Sequence, residues 1–148
     1  MATTSIAIPH EGQKEIAAQS WVVLLGRVLF ALIFIMSGPN HFAKQTIAYA
    51  AAQGVPLASL VVPFSGLMAI AGGLSILLGY RARIGAWLIV LFLVPVTFMM
   101  HNFWSVADPM MKQMQMIMFF KNVSMTGAAL FISQMGAGPF SLDARRSR

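Results

Sequence analysis

Four apolar stretches dominate this chain and set what it can fold into. They run over residues 20–37, 57–79, 84–101 and 114–135. Each is close to the roughly 17–25 residues that carry a helix across ~30 Å of hydrocarbon. Within lipid a segment can pair all its own backbone N–H and C=O groups only as a helix, so four transmembrane helices are expected. Composition agrees, with 58% hydrophobic and only 9% charged residues and a mean hydropathy of +0.76. A soluble domain carries about 25% charged residues, so a soluble 148-residue enzyme is excluded. The sequence pI of about 10.6 reflects few acids, four against ten bases. A net charge of +6 on so apolar a chain points to membrane topology and anionic lipid, and away from nucleic acid. The absence of cysteine excludes disulfides, thiolate metal ligands and thiol catalysis.

The fold class expected is all-α, a four-helix transmembrane bundle running antiparallel, up-down-up-down. A polar arm, 1–19, precedes a membrane domain, 20–140, and a basic tail, 141–148. The arm is expected to form a short surface helix. No basic run with a small-residue cleavage site precedes the first segment, which therefore reads as an uncleaved anchor. Residues 80–83 make a tight hairpin between the second and third segments. The 38–56 connection has room for a short helix ended by Gly54 and Pro56. Asp108-Pro109 is a turn signal before the fourth segment. Lys14, Arg81, Arg83, Arg145, Arg146 and Arg148 fall on one side, Lys44 and Lys112 on the other. The positive-inside rule then puts both termini in the cytoplasm. Trp21, Tyr80, Trp87 and Trp104 fall near the expected interfaces.

Two cations lie inside the apolar segments. Arg27 reads as near the middle of the first, and Lys121 lies well inside the fourth. A charge at that depth costs roughly 2.5–3.5 kcal/mol on insertion scales and marks a functional candidate. No carboxylate lies in any span, so the partner is either an external anion or, for a structural role, backbone carbonyls and the interface. At about 100° per residue, Gln115, Met118, Lys121, Asn122, Met125, Ala128 and Ala129 share one side of the fourth helix. That side is assigned to the interior or a partner, and Phe119, Phe120, Val123, Leu130 and Phe131 to lipid. Ser65, Ala69 and Gly73, with Gly72 beside them, give the small-xxx-small spacing of a close helix-packing face. Pro95 is expected to bend or loosen the third helix.

Other chemistry is sparse. His41 and His101 sit at the outer ends of their helices without a third ligand to make a metal or haem site. The thioethers of Met110, Met111, Met114, Met116 and Met118 suit Cu(I), but Met also fills irregular apolar gaps. There is no nucleophile–His–acid set, no carboxylate pair and no phosphate-binding glycine loop.

Several ordered motifs resemble one family. Gly26-Arg27 followed by Phe34-Ile35-Met36-Ser37-Gly38 resembles the first helix of the DoxX family of small four-helix membrane proteins. Gly72-Gly73-Leu74 through Leu78-Gly79-Tyr80-Arg81-Ala82-Arg83 is similar to its second helix and basic turn. His101-Asn102-Phe103-Trp104, Gln113-Met114-Gln115-Met116 and Phe120-Lys121-Asn122 resemble its third-helix end and fourth helix. The likeness covers roughly residues 20–140. This chain has Ala69 where the family often has Glu, and His41 where it often has Lys. The resemblance implies an accessory subunit of a quinone-linked redox assembly in a bacterial cytoplasmic (inner) membrane. A quinone is then the only cofactor implied, none being intrinsic. The expected partners are the bilayer and other membrane subunits, or a second copy of the chain, and Arg27, His101, Asn102, Trp104, Lys121 and Asn122 would line a site for a quinone or lipid headgroup. A self-contained quinone-linked oxidoreductase and a small-solute or metal transporter are the alternatives.

Overall fold

The computed structural model describes residues 10–146, with side chains from residue 19 onward. Its elements are α1 (His10–Ser37), a 3₁₀ turn (Gly38–Phe42), α2 (Lys44–Ala52), α3 (Ala58–Leu78), α4 (Ala82–Met100), a 3₁₀ turn (Phe103–Ser105), α5 (Pro109–Met135) and α6 (Leu142–Arg146). Four stretches are long and apolar enough to cross a membrane: Gln19–Phe42, Ala58–Leu78, Ala82–Ser105 and Pro109–Met135. The described residues contain no strand.

Two boundaries differ from the sequence reading. Residues 1–9 of the polar arm lie outside the described residues, and from His10 onward the arm continues α1 without a break. No proline interrupts 10–25, and the single Gly12 near the start weakens the helix without breaking it, so nothing ends α1 where polarity gives way to hydropathy. The fourth span begins at Pro109 rather than near Met114. Asp108 caps it, its carboxylate accepting from the Met111 amide at 2.8 Å, and Pro109 occupies the first helical position, where its missing N–H is harmless. The short helix between the first two spans is present as α2, and Gly54 follows it at φ +84°.

α3 is the hub. It packs on α1, on α4, on α2 and on the 3₁₀ turn that follows α1, while α5 packs on α4. Small residues allow these approaches. Gly72 and Gly73 are both buried and look in different directions. A Cβ on Gly72 would stand 2.9 Å from the Gly85 carbonyl oxygen of α4 and 2.8 Å from Ile89 Cδ1. A Cβ on Gly73 would stand 2.9 Å from Ile35 Cγ1 of α1 and 3.2 Å from Phe34 Cβ. Ala69 is fully buried within the core formed with Ala31, Phe34, Ile76, Ala86, Ile89, Leu93 and Ala129. The close approach one turn earlier falls at Gly66, against His41, while Ser65 turns aside and donates to the Val62 carbonyl at 2.7 Å.

Gly79 ends α3 in the left-handed region at φ +63°, with the Tyr80 amide reaching back to the Ser75 carbonyl at 3.0 Å. Arg81, at φ +48°, starts α4 two residues later. The short connection expected at 80–83 is therefore present between α3 and α4.

Gly72→Val should lower stability by about 1–3 kcal/mol, because the facing atom is backbone and cannot rotate away. Gly127→Ala, where a Cβ meets nothing within 4 Å, should be neutral or stabilising. Thermal melting in detergent checks the contrast, and equal midpoints for the two variants would count against this packing.

Candidate functional site

Arg27 is 6% exposed and belongs to one end of the bundle. Its Nη1 donates to the Ala137 carbonyl and its Nη2 to the Phe140 carbonyl at 2.6 Å. Its Nε is enclosed and has no hydrogen-bond partner among the described residues. Both carbonyls lie in the segment after α5, where Gly136 turns the chain at φ +78°. That segment continues to Asp143, whose amide donates to the Gly79 carbonyl at 2.8 Å. The Asp143 carboxylate in turn accepts from the Arg81 and Ala82 amides at 2.8 and 3.1 Å, capping the start of α4. Arg27 therefore places its guanidinium beside the ends of α3 and α5. Its nearest partners are backbone carbonyls more than a hundred residues away, and the tail at 141–146 is docked rather than trailing.

The other expected site residues do not join it. Lys121 is exposed on α5, with Nζ 3.3 Å from Met118 Sδ one turn away. It lies 14 residues before the end of α5, about 21 Å along the axis from that end, and the Arg27 partners come after it. Of the two assignments for its side of the helix, interior or partner, Lys121 does not take the interior one. Asn122, one residue on and about 100° around, is 4% exposed and faces inward, as does Ala129. Phe120, Val123, Leu130 and Phe131 are exposed as assigned, but Phe119, also assigned to lipid, is half-buried against Phe98, Phe103 and Trp104.

His101 Nδ1 is 2.7 Å from Gln115 Oε1, which ties the end of α4 to α5. Asn102 accepts from Ser105 through its carbonyl at 2.9 Å, shaping the 3₁₀ turn. Trp104 joins Phe98, Phe103, Phe119 and Phe120 in a cluster of rings with centroids 5.2–6.3 Å apart. His101, Asn102 and Trp104 thus share one end of the α4–α5 pair, and Lys121 extends the same surface.

The sequence does not by itself show an apolar recess beside His41. A cavity of about 180 Å³ lies between the first half of α3 and the second half of α4, beneath α2 and the turn before it. His41, Thr46 and Ser65 are the polar side chains in an otherwise apolar lining that includes Phe92, Pro95 and Met99. The His41 ring stands edge-on to Phe92 at 5.5 Å, and its Nδ1 lies 3.3 Å from the Ser37 carbonyl. Pro95 lacks an N–H, so the Leu91 carbonyl four residues earlier is left without its helical donor beside the cavity. The signal in the sequence was His41 three residues after Gly38, at a turn facing Gly66. It needed the fold to reveal that the two glycines bring His41 against α3. Among the described residues no three His, Cys, Asp or Glu side chains gather as a metal site.

The DoxX family profile matches residues 22–102. The inner membrane protein YphA of Escherichia coli is 31% identical over 131 residues, covering 87% of this chain and 93% of that protein. The inner membrane protein YqjF of the same organism is 29% identical, covering 82% of this chain and 88% of its own length. The Surfeit locus protein 4 homolog of Schizosaccharomyces pombe is 28% identical over 86% of this chain, but over only 38% of its own length. No solved structure matches.

Arg27→Met should destabilise the protein by about 3–6 kcal/mol, from two charge-assisted hydrogen bonds of roughly 1.5–3 kcal/mol each. Faster proteolysis at the C-terminal segment would report the same loss, and an unchanged melting midpoint would refute the clamp. A second expectation concerns Tyr80, an exposed ring with the Arg146 guanidinium 4.6 Å from its centroid. A hydrogen bond with Arg146, helped by the positive charge of Arg81, holds its phenol below the ordinary value. Tyrosinate absorbance should therefore move to higher pH in Arg146→Gln.

Proposed function

Because the chain belongs to the DoxX family of integral membrane proteins, we propose that it is an accessory subunit of a quinone-linked redox assembly in a bacterial inner membrane. In this reading the four spans run antiparallel, up-down-up-down, with both termini in the cytoplasm. The α3–α4 hairpin and the joining of the α5 end to the Gly79–Ala82 turn support the first statement. The distribution of basic residues supports the second.

One observation carries the subunit role. Lys121 is exposed at mid-span on a membrane helix, and among the side chains described the acids are Asp108 and Asp143, each engaged in capping a helix. An ammonium facing hydrocarbon is costly, and a carboxylate on a neighbouring subunit removes that cost. The exposed aromatic cluster beside Trp104 supplies the surrounding contact area.

The α3–α4 cavity is the better place for a quinone ring than the residues first expected, since Arg27 is engaged elsewhere and Asn122 faces inward. A cavity of roughly 150 Å³ accepts a benzene ring, and this one is slightly larger and opens between α3 and α4, where Phe64 and Leu91 are exposed. His41 and Thr46 offer donors to a ring carbonyl, and Phe92 and Met99 an apolar surface. The quinone supplies electron transfer; this chain's residues bind and orient the ring and exclude water.

Mild-detergent purification with mass spectrometry of bound chains and extracted quinone tests both parts. A larger complex is expected, lost or weakened in Lys121→Leu while the melting midpoint holds or rises. Stoichiometric quinone is expected, reduced about tenfold in His41→Leu, the scale of one good hydrogen bond. A lone chain carrying quinone only in proportion to bulk lipid would overturn the reading.

A further inference from the structure

The ring of helices does not close. α1 packs on α3, α3 on α4 and α4 on α5, but α1 and α5 make at most marginal contact. Between them lies a crevice of about 280 Å³ lined by Val23, Gly26, Phe30, Ala128 and Phe131, with Arg27 its only charged member. A Cβ on Gly26 would meet nothing within 4 Å, so the space is not filled by any neighbouring side chain. Val23 and Phe131 are exposed, so the crevice opens sideways towards lipid.

A second cavity, about 470 Å³, adjoins it and adds charged groups to a partly apolar lining that includes Ile84 and Ala144. Arg81, Arg83, Ser141 and Asp143 line it. Gly136 and Ala137 belong to both cavities and form their shared wall. Gly136 sits at φ +78°, where a side chain is strained, and a Cβ there would also come within 3.6 Å of Arg83 Nε. The one carboxylate in this groove, Asp143, is already engaged by the Arg81 and Ala82 amides. The exposed Arg83 guanidinium has no partner among the described residues, the Arg81 guanidinium stands 5.8 Å from the Tyr80 ring centroid, and the buried Arg27 adds a third positive charge behind the wall.

An apolar slot open to the bilayer, meeting a basic groove just beyond the end of a membrane span, matches one ligand chemistry. We propose that the two cavities together hold one anionic phospholipid, with an acyl chain in the α1–α5 crevice and its phosphate on Arg83 and Arg81. Guanidinium groups pair with phosphate through parallel N–H donors, and basic recesses at helix ends on the charged side of a membrane select anionic headgroups. The lipid fills the gap that α1 and α5 leave and supplies countercharge to the exposed Arg83. This site shares no residue with the cavity beside His41, so it stands or falls separately from quinone binding.

Native mass spectrometry of the full chain with phosphatidylglycerol, phosphatidylcholine or inorganic phosphate tests it, with melting midpoints measured alongside. One phosphatidylglycerol should be retained in preference to phosphatidylcholine. Arg83→Gln, at an exposed position, should weaken retention about tenfold, the scale of one lost charge-assisted contact. Gly26→Leu fills the crevice from a position with free space and should weaken it similarly. Gly127→Leu, at a glycine equally open but lining a crevice between α4 and α5, should leave it unchanged. Equal retention of the two lipids, or retention indifferent to both Arg83→Gln and Gly26→Leu, would overturn the site. Inorganic phosphate binding as well as phosphatidylglycerol would overturn the lipid assignment.

Discussion

The pairing of the Arg27 guanidinium with the Ala137 and Phe140 carbonyls is the interaction on which one whole end of this protein depends. Each partner is costly alone. A guanidinium in a membrane helix lacks solvation, and carbonyls just past a helix end have no intrahelical donor. Together they satisfy each other and fix where the chain goes after α5. That placement brings Asp143 to the Arg81 and Ala82 amides and its own amide to the Gly79 carbonyl. One charge on α1 thereby organises the α3–α4 turn and the C-terminal segment at once.

The opposite end of α3 is built on a different principle. There the helices approach through small residues, and Gly38 and Gly66 let the turn after α1 lie directly on α3. Hydrophobic driving force between helices is weak in lipid, so close van der Waals contact carries this packing. The same approach lowers α2 over the gap between α3 and α4 and leaves the cavity beside His41. Clamp and cavity are thus separate consequences of two ways of satisfying a membrane interior, one by hydrogen bonds and one by shape.

The expected ligand residues divided along the same lines. His101, Asn102 and Trp104 share an end of the α4–α5 pair because the 3₁₀ turn at Phe103–Ser105 holds them there. Lys121 and Asn122 are adjacent in sequence yet point to different media, since one helical step is about 100°. A wheel drawn over a whole helix blurs that step when both residues lie near the edge of a face. His41, read only as an interfacial histidine, gained its surroundings from α3 and α4, which are remote in sequence.

The sequence alone determined the four spans, the hairpin at 80–83, the short helix before Gly54 and the buried Gly72-Gly73 step. These follow from hydropathy, turn chemistry and residue size, which act over a few neighbours. The family was legible there as well, because its motifs are short and ordered along the chain. Only the tertiary structure decided what Arg27 touches, which way Lys121 faces, and where helices leave space. Those depend on contacts between residues as far apart as Arg27 and Ala137, and on the order of helices around the bundle. Hydropathy carries no information about either, because every lipid-spanning helix looks alike to it whatever stands beside it.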